Sequence, residues 1–197
     1  LNFDFFMQNL LRVDYEKILL LTAFIFRGDY HSALPDDSKL IWKTLYYTGL
    51  RPKELFNLKP EDIQKVEAKS KYVTCLSIAP KGDGKTKNAT RLIPVHSELI
   101  NDLKDFKGFS ISQGTFEKRR RKAVIESYGE DFANNHDTYS LRHTFTTTLV
   151  SELGNADLVK WLVGHSRSGD VTFHSYFHGY GLEKLEQAVE SVPIIRV

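Results

Sequence analysis

Cysteine is nearly absent from the chain of 197 residues, which carries Cys75 alone. A single cysteine excludes an internal disulfide and any metal site built from several cysteines. This usage fits a reducing, intracellular setting, and we expect a protein of the cytoplasm. Methionine is equally scarce, since the chain begins with Leu1 and its one methionine is Met7. The late methionine suggests a fragment of a longer protein that carries further domains.

Long apolar runs are missing as well. No stretch approaches the roughly 20 consecutive apolar residues that a membrane-spanning helix requires, so we expect no membrane span and no membrane partner. The opening segment LNFDFFMQNLLR has neither a basic leader nor a small-residue cleavage site. We therefore do not expect it to be a signal peptide.

Excess charge is small, with a formal net charge of +2 at pH 7 and 26% charged residues. Together with 41% hydrophobic residues, the length suits a single domain over residues 1–197 with a substantial core. The net charge alone is too small to argue for a nucleic-acid partner. Its distribution is uneven, because Lys118–Lys122 is a continuous basic run and a second basic group lies within 81–91. A solvated helix face or loop accounts for either group alone as readily as a DNA contact does.

Hydrophobic periodicity predicts helices over most of the chain and two short strands near its middle. Residues 72–79 and 91–95 are rich in β-forming residues, and the Gly- and Lys-rich segment 81–90 between them is typical of a hairpin turn. We therefore predict a fold that is mainly α with a small antiparallel β-sheet (α+β). The predicted helices cover residues 14–26, 39–48, about 52–58, 97–106, 112–128, 139–153, 156–163 and 182–191.

Polar residues and glycines set the predicted helix boundaries. After a loop, Asp37 or Ser38 is expected to cap the second helix, and Gly49 is expected to end it. A second polar loop at 134–138 is expected to cap the helix that begins near Tyr139.

Several arginine, histidine and tyrosine residues are candidates for phosphate chemistry, because these side chains can hold a phosphate and attack it. Arg51 lies at a helix junction and Arg142 lies on the helix after the second polar loop. His165 follows a helix-ending glycine, and Tyr176 comes eleven residues later. Taken singly, each has another explanation: a surface ion pair for an arginine, a helix cap for the histidine, and core packing for the tyrosine.

Taken in order, the motifs around these residues point to one family. Four motifs precede the tyrosine, in this order: TGLRPKEL, KTKNATRLIPV, YSLRHTF and LVGHS. This ordered set resembles the tyrosine recombinase, or phage-type integrase, family. The resemblance covers roughly residues 40–180, with a C-terminal helix and tail at 181–197, and it implies the catalytic domain of such an enzyme.

The resemblance implies a catalytic role for individual residues. Arg51 matches the first catalytic arginine of the family and Arg142 matches the second. His165 matches the late histidine of the family motif. Tyr176 matches the nucleophile, and Tyr180 is the alternative for that role.

A catalytic lysine is implied in the turn just before the R-x-I-P strand. We prefer Lys85, because Lys-Thr is the commoner context in the family. Lys87 is the first alternative and Lys81 the second.

One position departs from the family pattern. The family usually carries a histidine three residues before the second arginine, and Tyr139 stands there in this chain. A phenol can donate a hydrogen bond to a phosphate oxygen, but it is a poor base at neutral pH. His143 is expected to be a packing residue, and His136 in the preceding loop is a further candidate to reach the site.

The family activity implied is site-specific DNA recombination, in which strands are cleaved and rejoined through a covalent 3′-phosphotyrosine intermediate. No cofactor, metal or ATP is implied, because arginines neutralise the phosphate and the phosphotyrosine conserves the bond energy. The implied partners are double-stranded DNA and further protomers in a DNA-bound homotetramer, with a directionality factor as an additional candidate. The basic run would contact DNA phosphates through four residues: Arg119, Arg120, Arg121 and Lys122.

Three other functions compete with this interpretation. A type IB topoisomerase-like or telomere-resolving enzyme would use the same residues on a single duplex. A DNA-binding module with impaired catalysis is consistent with Tyr139. A metal hydrolase would use His174 and His178, which lie one helical turn apart if that segment is helical, although a third metal ligand is not evident in the sequence.

Overall fold

The computed structural model describes residues 29–69, 71–79, 91–164 and 180–195. The helix predicted at 14–26 and the turn predicted at 81–90 lie outside these residues.

The described part of the chain is mostly helical and contains one small antiparallel sheet, which confirms the predicted α+β class. The strands are β1 (Ile63–Ala68), β2 (Lys71–Ile78) and β3 (Arg91–Pro94). The helices are α1 (Asp29–Ser32), α2 (Asp36–Thr48), α3 (Pro52–Phe56), α4 (Ser97–Leu103), α5 (Gln113–Tyr128), α6 (Glu130–Asn135), α7 (Ser140–Leu153), α8 (Ala156–Val163) and α9 (Leu182–Glu190). Among them, none is both long and apolar enough to cross a bilayer.

The sheet has three strands in the order β1-β2-β3, with both neighbouring pairs antiparallel. The pairing of β2 with β3 confirms the predicted strands, and it sets Cys75 opposite Pro94. Strand β1 was not predicted. Its sequence, IQKVEA, buries only Ala68 fully, because β1 is an edge strand with most of its side chains in contact with water. Such a strand lacks the apolar alternation that sequence reading depends on.

The end of α2 packs closely against α7, and this contact brings Arg51, just after α2, near Arg142 on α7. Gly49 ends α2 in the left-handed conformation, with φ of +59°, as the sequence predicts. A Cβ atom at Gly49 would lie 2.3 Å from Cδ1 of Phe145 on α7. Phe145 is completely buried, so the aromatic ring has no open space into which it can move. Glycine is therefore required at this position both by the backbone and by the packing.

Replacing Gly49 by alanine is expected to lower the free energy of unfolding by about 2 kcal/mol or more, from the left-handed backbone and the overpacked core together. Chemical denaturation of the two proteins measures this difference. Gly154 ends α7 with the same φ of +59°, but a Cβ atom there meets nothing within 4 Å. Gly154→Ala is therefore the matched control, and it should lose only the backbone part. Equal losses in the two variants would contradict the packing argument.

The C-terminal helix α9 docks on its own chain. Its apolar stripe is buried through Leu185, Ala188 and Val189, and these residues belong to the main core cluster. The tail that follows α9 is bonded to α2, because the hydroxyl of Tyr46 donates to the Pro193 carbonyl over 3.2 Å. Residues 193–195 form no strand.

The structure corrects three predicted boundaries. The loop predicted before the second helix contains the short helix α1. Helix α2 begins at Asp36, directly after Pro35. Asp37 and Ser38 therefore lie in its first turn and do not cap it. The negative charges of Asp36 and Asp37 in this turn stabilise the helix, because they lie at the positive end of the helix dipole. Helix α6 extends through Asn135, so the second polar loop is shorter than predicted.

Candidate active site

Arg51 sits where α2 ends and α3 begins. Gly49 stops α2, and Pro52 is the first residue of α3, which fixes Arg51 as the residue before that helix. The half-buried Arg51 side chain donates from Nη1 to Oε1 of Glu54 over 2.9 Å and from Nη2 to the Gly164 carbonyl over 3.3 Å. A residue of the first motif therefore reaches the end of α8, which is 113 positions away in the sequence.

Arg142, on α7, also binds the end of α8. It lies on the first turn of α7 and is only 2% exposed. Its Nη1 donates to the Gly49 carbonyl over 2.5 Å, and its Nη2 donates to the Val163 carbonyl. Arg51 and Arg142 therefore bind two consecutive carbonyls, those of Val163 and Gly164, at the end of α8. His165 is the next residue in the sequence.

The two guanidinium groups are close enough to affect each other. Burial lowers the pKa of Arg142, and the charges of Arg51 and Arg91 lower it further, to about 10, against the opposing effect of Tyr139 and Glu54. Arg142 remains charged at neutral pH. The lowered pKa shows that positive charges are crowded in a poorly solvated place, where a bound anion would be favourable.

Glu54 and Arg91 complete this cluster, and the sequence did not predict either of them as site residues. Glu54 accepts two hydrogen bonds from the nearly buried Arg91: Oε1 from Nη1 at 3.2 Å and Oε2 from Nη2 at 2.9 Å. Burial alone would raise the pKa of the Glu54 carboxyl, but the hydrogen bonds and charges of Arg91 and Arg51 lower it to about 2. A signal for Glu54 exists in the sequence, since a glutamate three residues after a helix start is typical of a capping box.

Tyr139 lies beside the second arginine, as its place in the motif predicts. The Arg142 guanidinium carbon is 5.9 Å from the centroid of the Tyr139 ring. The ring of His143, one helical turn further on, meets the Tyr139 ring edge-on at 5.1 Å between centroids. His143 is exposed to solvent and packs on this ring. His136 is turned away toward α6, where its ring stacks on Phe132 at 3.9 Å.

The predicted basic DNA contact falls on α5, and its side chains have partners within the chain. The Nη1 atom of Arg119 donates to both carboxylate oxygens of Asp37 over 2.7 Å. Arg121 donates to Oδ1 of Asn134 over 2.8 Å. The buried Arg120 donates to the His136 carbonyl over 2.8 Å, which holds the loop before α7.

Lys122, the last residue of the basic run, is exposed, with Nζ 3.8 Å from Oε1 of Glu126. The assignment of this run to DNA binding stays a prediction.

The alternative nucleophile, Tyr180, lies within the described residues. Its hydroxyl donates to Oδ1 of Asn155 over 3.3 Å. Asn155 caps the start of α8, whereas the two arginines bind the end of the same helix. At 1.5 Å per residue, a helix of this length separates the two ends by about 12 Å. The Tyr180 hydroxyl therefore lies far from the arginine cluster in this structure.

The remaining predicted site residues lie outside the described part of the chain. These are the three candidate lysines, the late histidine, the preferred nucleophile and the two histidines of the metal hypothesis: Lys81, Lys85, Lys87, His165, Tyr176, His174 and His178. Within the described ranges, no group of three or more His, Cys, Asp or Glu residues is arranged to hold a metal ion.

Comparison with protein families places the chain in a known family. Residues 21–180 match the phage integrase family. The chain belongs to this family. Among curated relatives of this integrase-family chain, tyrosine recombinase XerA of Pyrococcus horikoshii is 24% identical over 170 residues, which cover 80% of the chain and 55% of the relative. Tyrosine recombinase XerH of Campylobacter jejuni is 26% identical over 171 residues, which cover 79% of the chain and 45% of the relative. The chain therefore spans about half the length of the curated relatives it matches.

Solved structures share the fold of this integrase-family chain. The integrase from mycobacterium phage Brujita superposes with a TM-score of 0.58 at 16% identity, over 85% of the chain and 57% of the phage protein. The crystal structure of XerA recombinase gives 0.53 at 21% identity, over 86% and 62%. FLP recombinase in a Holliday junction complex gives 0.54 at 13% identity, over 96% and 51%. These likenesses confirm the fold class that the sequence predicts.

Proposed function

We propose that this chain is the catalytic domain, over residues 1–197, of a site-specific DNA recombinase. It cleaves and rejoins DNA strands through a 3′-phosphotyrosine. The observation that carries the proposal is the convergence of Arg51 and Arg142 on consecutive carbonyls at the end of α8, immediately before His165. Membership in the phage integrase family supports the same activity.

The arginine cluster suits a phosphodiester anion. A guanidinium carries five N–H donors in a planar fork, and the two bonds that the structure gives Arg142 use two of them. A phosphate at this place would receive donors from both arginines and would offset their mutual repulsion. This gain is greatest when negative charge builds up on the phosphorus oxygens in the transition state.

The reaction then exchanges one phosphorus–oxygen bond for another. The Tyr176 oxygen attacks phosphorus and gives its proton to a solvent water, while the bond from phosphorus to the 5′ oxygen of the next nucleotide breaks. Lys85, or Lys87 in its place, gives a proton to the leaving 5′ oxygen. His165 donates a hydrogen bond to the phosphate. Rejoining reverses these steps with a 5′ hydroxyl from the same strand or another strand, and it needs no ATP because the phosphotyrosine retains the bond energy.

A nicked duplex tests the proposal. A nick close to the cleavage position lets the short leaving strand diffuse away, so that the covalent intermediate accumulates and is seen on a denaturing gel. The target sequence has to be found by selection. The substrate is therefore a pool of duplexes with randomised sequence and with nicks at set spacings. The expected result is an adduct at tyrosine, identified by mass spectrometry of the attached peptide. The absence of any adduct across the pool would refute the proposed chemistry.

Tyr139 favours a second candidate, a DNA-binding module with impaired catalysis, because the usual histidine is missing at that position. The same experiment separates the two functions. An adduct excludes the impaired module, whereas noncovalent DNA binding without an adduct supports it.

The assembly and setting are also proposals. We propose that double-stranded DNA is the substrate, that the active species is a DNA-bound homotetramer, and that a directionality factor selects the outcome. We also propose that the protein acts on DNA in the cytoplasm of a bacterium or of another host. Products from two marked duplexes distinguish strand exchange from simple relaxation or resealing of one duplex.

DNA affinity is expected to depend on salt through the exposed part of the basic run on α5. Arg121→Gln combined with Lys122→Gln should lower the slope of log affinity against log salt by about 2, since each phosphate contact contributes about 0.9. Fluorescence anisotropy at several salt concentrations measures the slope. Lys43→Gln is the matched control, because Lys43 pairs with Asp102 across α2 and α4. Identical slopes in all three proteins would contradict the assignment of α5 to the DNA interface.

A further inference from the structure

Arg91 is a buried arginine at the start of β3, in a strand that otherwise has apolar side chains. Its side chain is only 2% exposed. All three guanidinium nitrogens have partners: Nε donates to the Leu162 carbonyl over 2.8 Å, and Nη1 and Nη2 donate to the two carboxylate oxygens of Glu54. A guanidinium held in this way binds three structural elements together: β3, α3 and the end of α8.

The Glu54 carboxylate joins Arg91 to Arg51. Oε1 accepts from Nη1 of Arg51 at 2.9 Å and from Nη1 of Arg91 at 3.2 Å. Oε2 accepts from the backbone N–H of Arg51 at 2.9 Å and from Nη2 of Arg91 at 2.9 Å. One carboxylate thus has two donors from each arginine. Its position, and therefore that of Arg51, depends on both of them.

Arg91 also lies beside Gly164, the residue that precedes His165 in the sequence. A Cβ atom at Gly164 would stand 2.7 Å from Nη1 of Arg91 and 3.0 Å from Cζ. Gly164 has φ of +66°, and its carbonyl accepts from Arg51. The guanidinium of Arg91 therefore packs against Gly164, while Arg51 donates a hydrogen bond to the Gly164 carbonyl.

We infer that Arg91 is a positioning residue of the cleavage site, which acts through Glu54 to hold Arg51 and through its contacts with Leu162 and Gly164 to hold the end of α8. This inference rests on the proposed function. The hydrogen bonds of Arg91 to Glu54 and Leu162 assign it a role in holding these groups in place. Its contribution is to keep Glu54 ionised and in place, so that Arg51 stays oriented toward the site.

The consequence is a distinct pH dependence. Without the charge of Arg91, burial would raise the pKa of the Glu54 carboxyl, against the charges of Arg51 and Arg142 that remain near it. Protonated Glu54 no longer attracts the Arg51 guanidinium and can no longer accept from its backbone N–H with full strength. Cleavage by an Arg91 variant should therefore weaken as the pH falls, while the wild-type carboxylate stays ionised over the same range.

Adduct formation on the nicked duplex, followed from pH 5.5 to pH 7.5, tests this. For Arg91→Met, the ratio of its rate to the wild-type rate should fall about tenfold between pH 7.5 and pH 5.5, because protonated Glu54 no longer holds the Arg51 guanidinium. The ratio cancels titrations that both proteins share. Lys43→Met, which breaks the 2.6 Å ion pair with Asp102, should give a constant ratio.

The variant Arg91→Met combined with Glu54→Gln decides whether Arg91 acts through Glu54. An amide does not titrate, so the ratio should no longer vary with pH in the double variant, although its rate stays low. A tenfold fall that persists in the double variant would overturn the inference. A lower melting temperature of Arg91→Met with an unchanged pH ratio would also overturn it, because a merely structural role predicts that result.

A second variant and a second measurement keep the test usable if Arg91→Met does not fold. Arg91→Lys keeps the charge and should show a smaller fall in the ratio than the methionine variant. Carbon-13 NMR of the Glu54 carboxyl, recorded without DNA, should show a higher midpoint in Arg91→Lys than in the wild type, because a lysine cannot donate to both carboxylate oxygens as the guanidinium does. An unshifted midpoint would overturn the inference. A wild-type protein that forms no adduct refutes the proposed function separately, because the NMR titration does not depend on cleavage.

Discussion

Replacing Tyr176 by phenylalanine is expected to remove covalent attachment to DNA entirely, with a loss of at least about 10³-fold in adduct yield, because no other group supplies the attacking oxygen. Noncovalent DNA binding should remain within about twofold, since a single hydroxyl is removed. The measurement is the amount of protein–DNA adduct on a denaturing gel from the nicked duplex, beside an anisotropy titration of the intact duplex.

Tyr180→Phe is the matched control for this experiment. The Tyr180 hydroxyl is bonded to Asn155 at the start of α8, so its removal should cost about 1 kcal/mol in the free energy of unfolding and leave the adduct in place. The opposite pattern, with the adduct lost in Tyr180→Phe and kept in Tyr176→Phe, would assign the nucleophile to Tyr180. It would also require α8 and Tyr180 to separate before cleavage.

The second large effect is expected at Arg142. Arg142→Lys keeps the positive charge but cannot reach the Gly49 and Val163 carbonyls and a phosphate together, because the three N–H donors of an ammonium radiate from one nitrogen and do not span the guanidinium fork. Removing one preorganised donor from a developing phosphorane charge is expected to slow cleavage by about 10²–10³-fold. Single-turnover adduct formation measures the rate.

Folding must be separated from chemistry in this variant, because Arg142 is buried and joins α2, α7 and α8. The Arg142→Lys protein should melt at a lower temperature and still bind DNA noncovalently. We therefore compare the rates at a temperature where both proteins are fully folded, and with DNA at saturation. A lysine variant that cleaves within about threefold of the wild type would show that Arg142 only holds the helices together.

The fold was largely predictable where local chemistry decides it. The ends of α2, α7 and α8 were predicted at Gly49, Gly154 and Gly164, because a glycine after an apolar periodic segment marks a left-handed helix end. Strand β1 was missed because its side chains are mostly exposed and its residues carry no alternation. The docking of α9 on its own chain could not be predicted, since an apolar stripe does not say which surface covers it.

The site was predictable only in part, for a related reason. Arg51 and Arg142 lie in ordered motifs, and the structure brings them together at the end of α8. The contribution of Arg91 depends on Glu54, which lies 37 positions away in the sequence. Likewise, Arg119 finds Asp37 at a separation of 82 positions. These pairings are set by tertiary packing, and a single sequence carries no local signal for which residues pair.

The tail after α9 has a consequence for how the protein is made. The Tyr46 hydroxyl bonds to the Pro193 carbonyl, and the Ile195 N–H bonds to the Tyr47 hydroxyl, across 147 and 148 positions of sequence. During synthesis on the ribosome, α2 emerges long before these last contacts are available. The surface that α9 and its tail cover therefore stays exposed until translation has passed residue 195. In a prematurely terminated product this surface would remain accessible to chaperones and proteases.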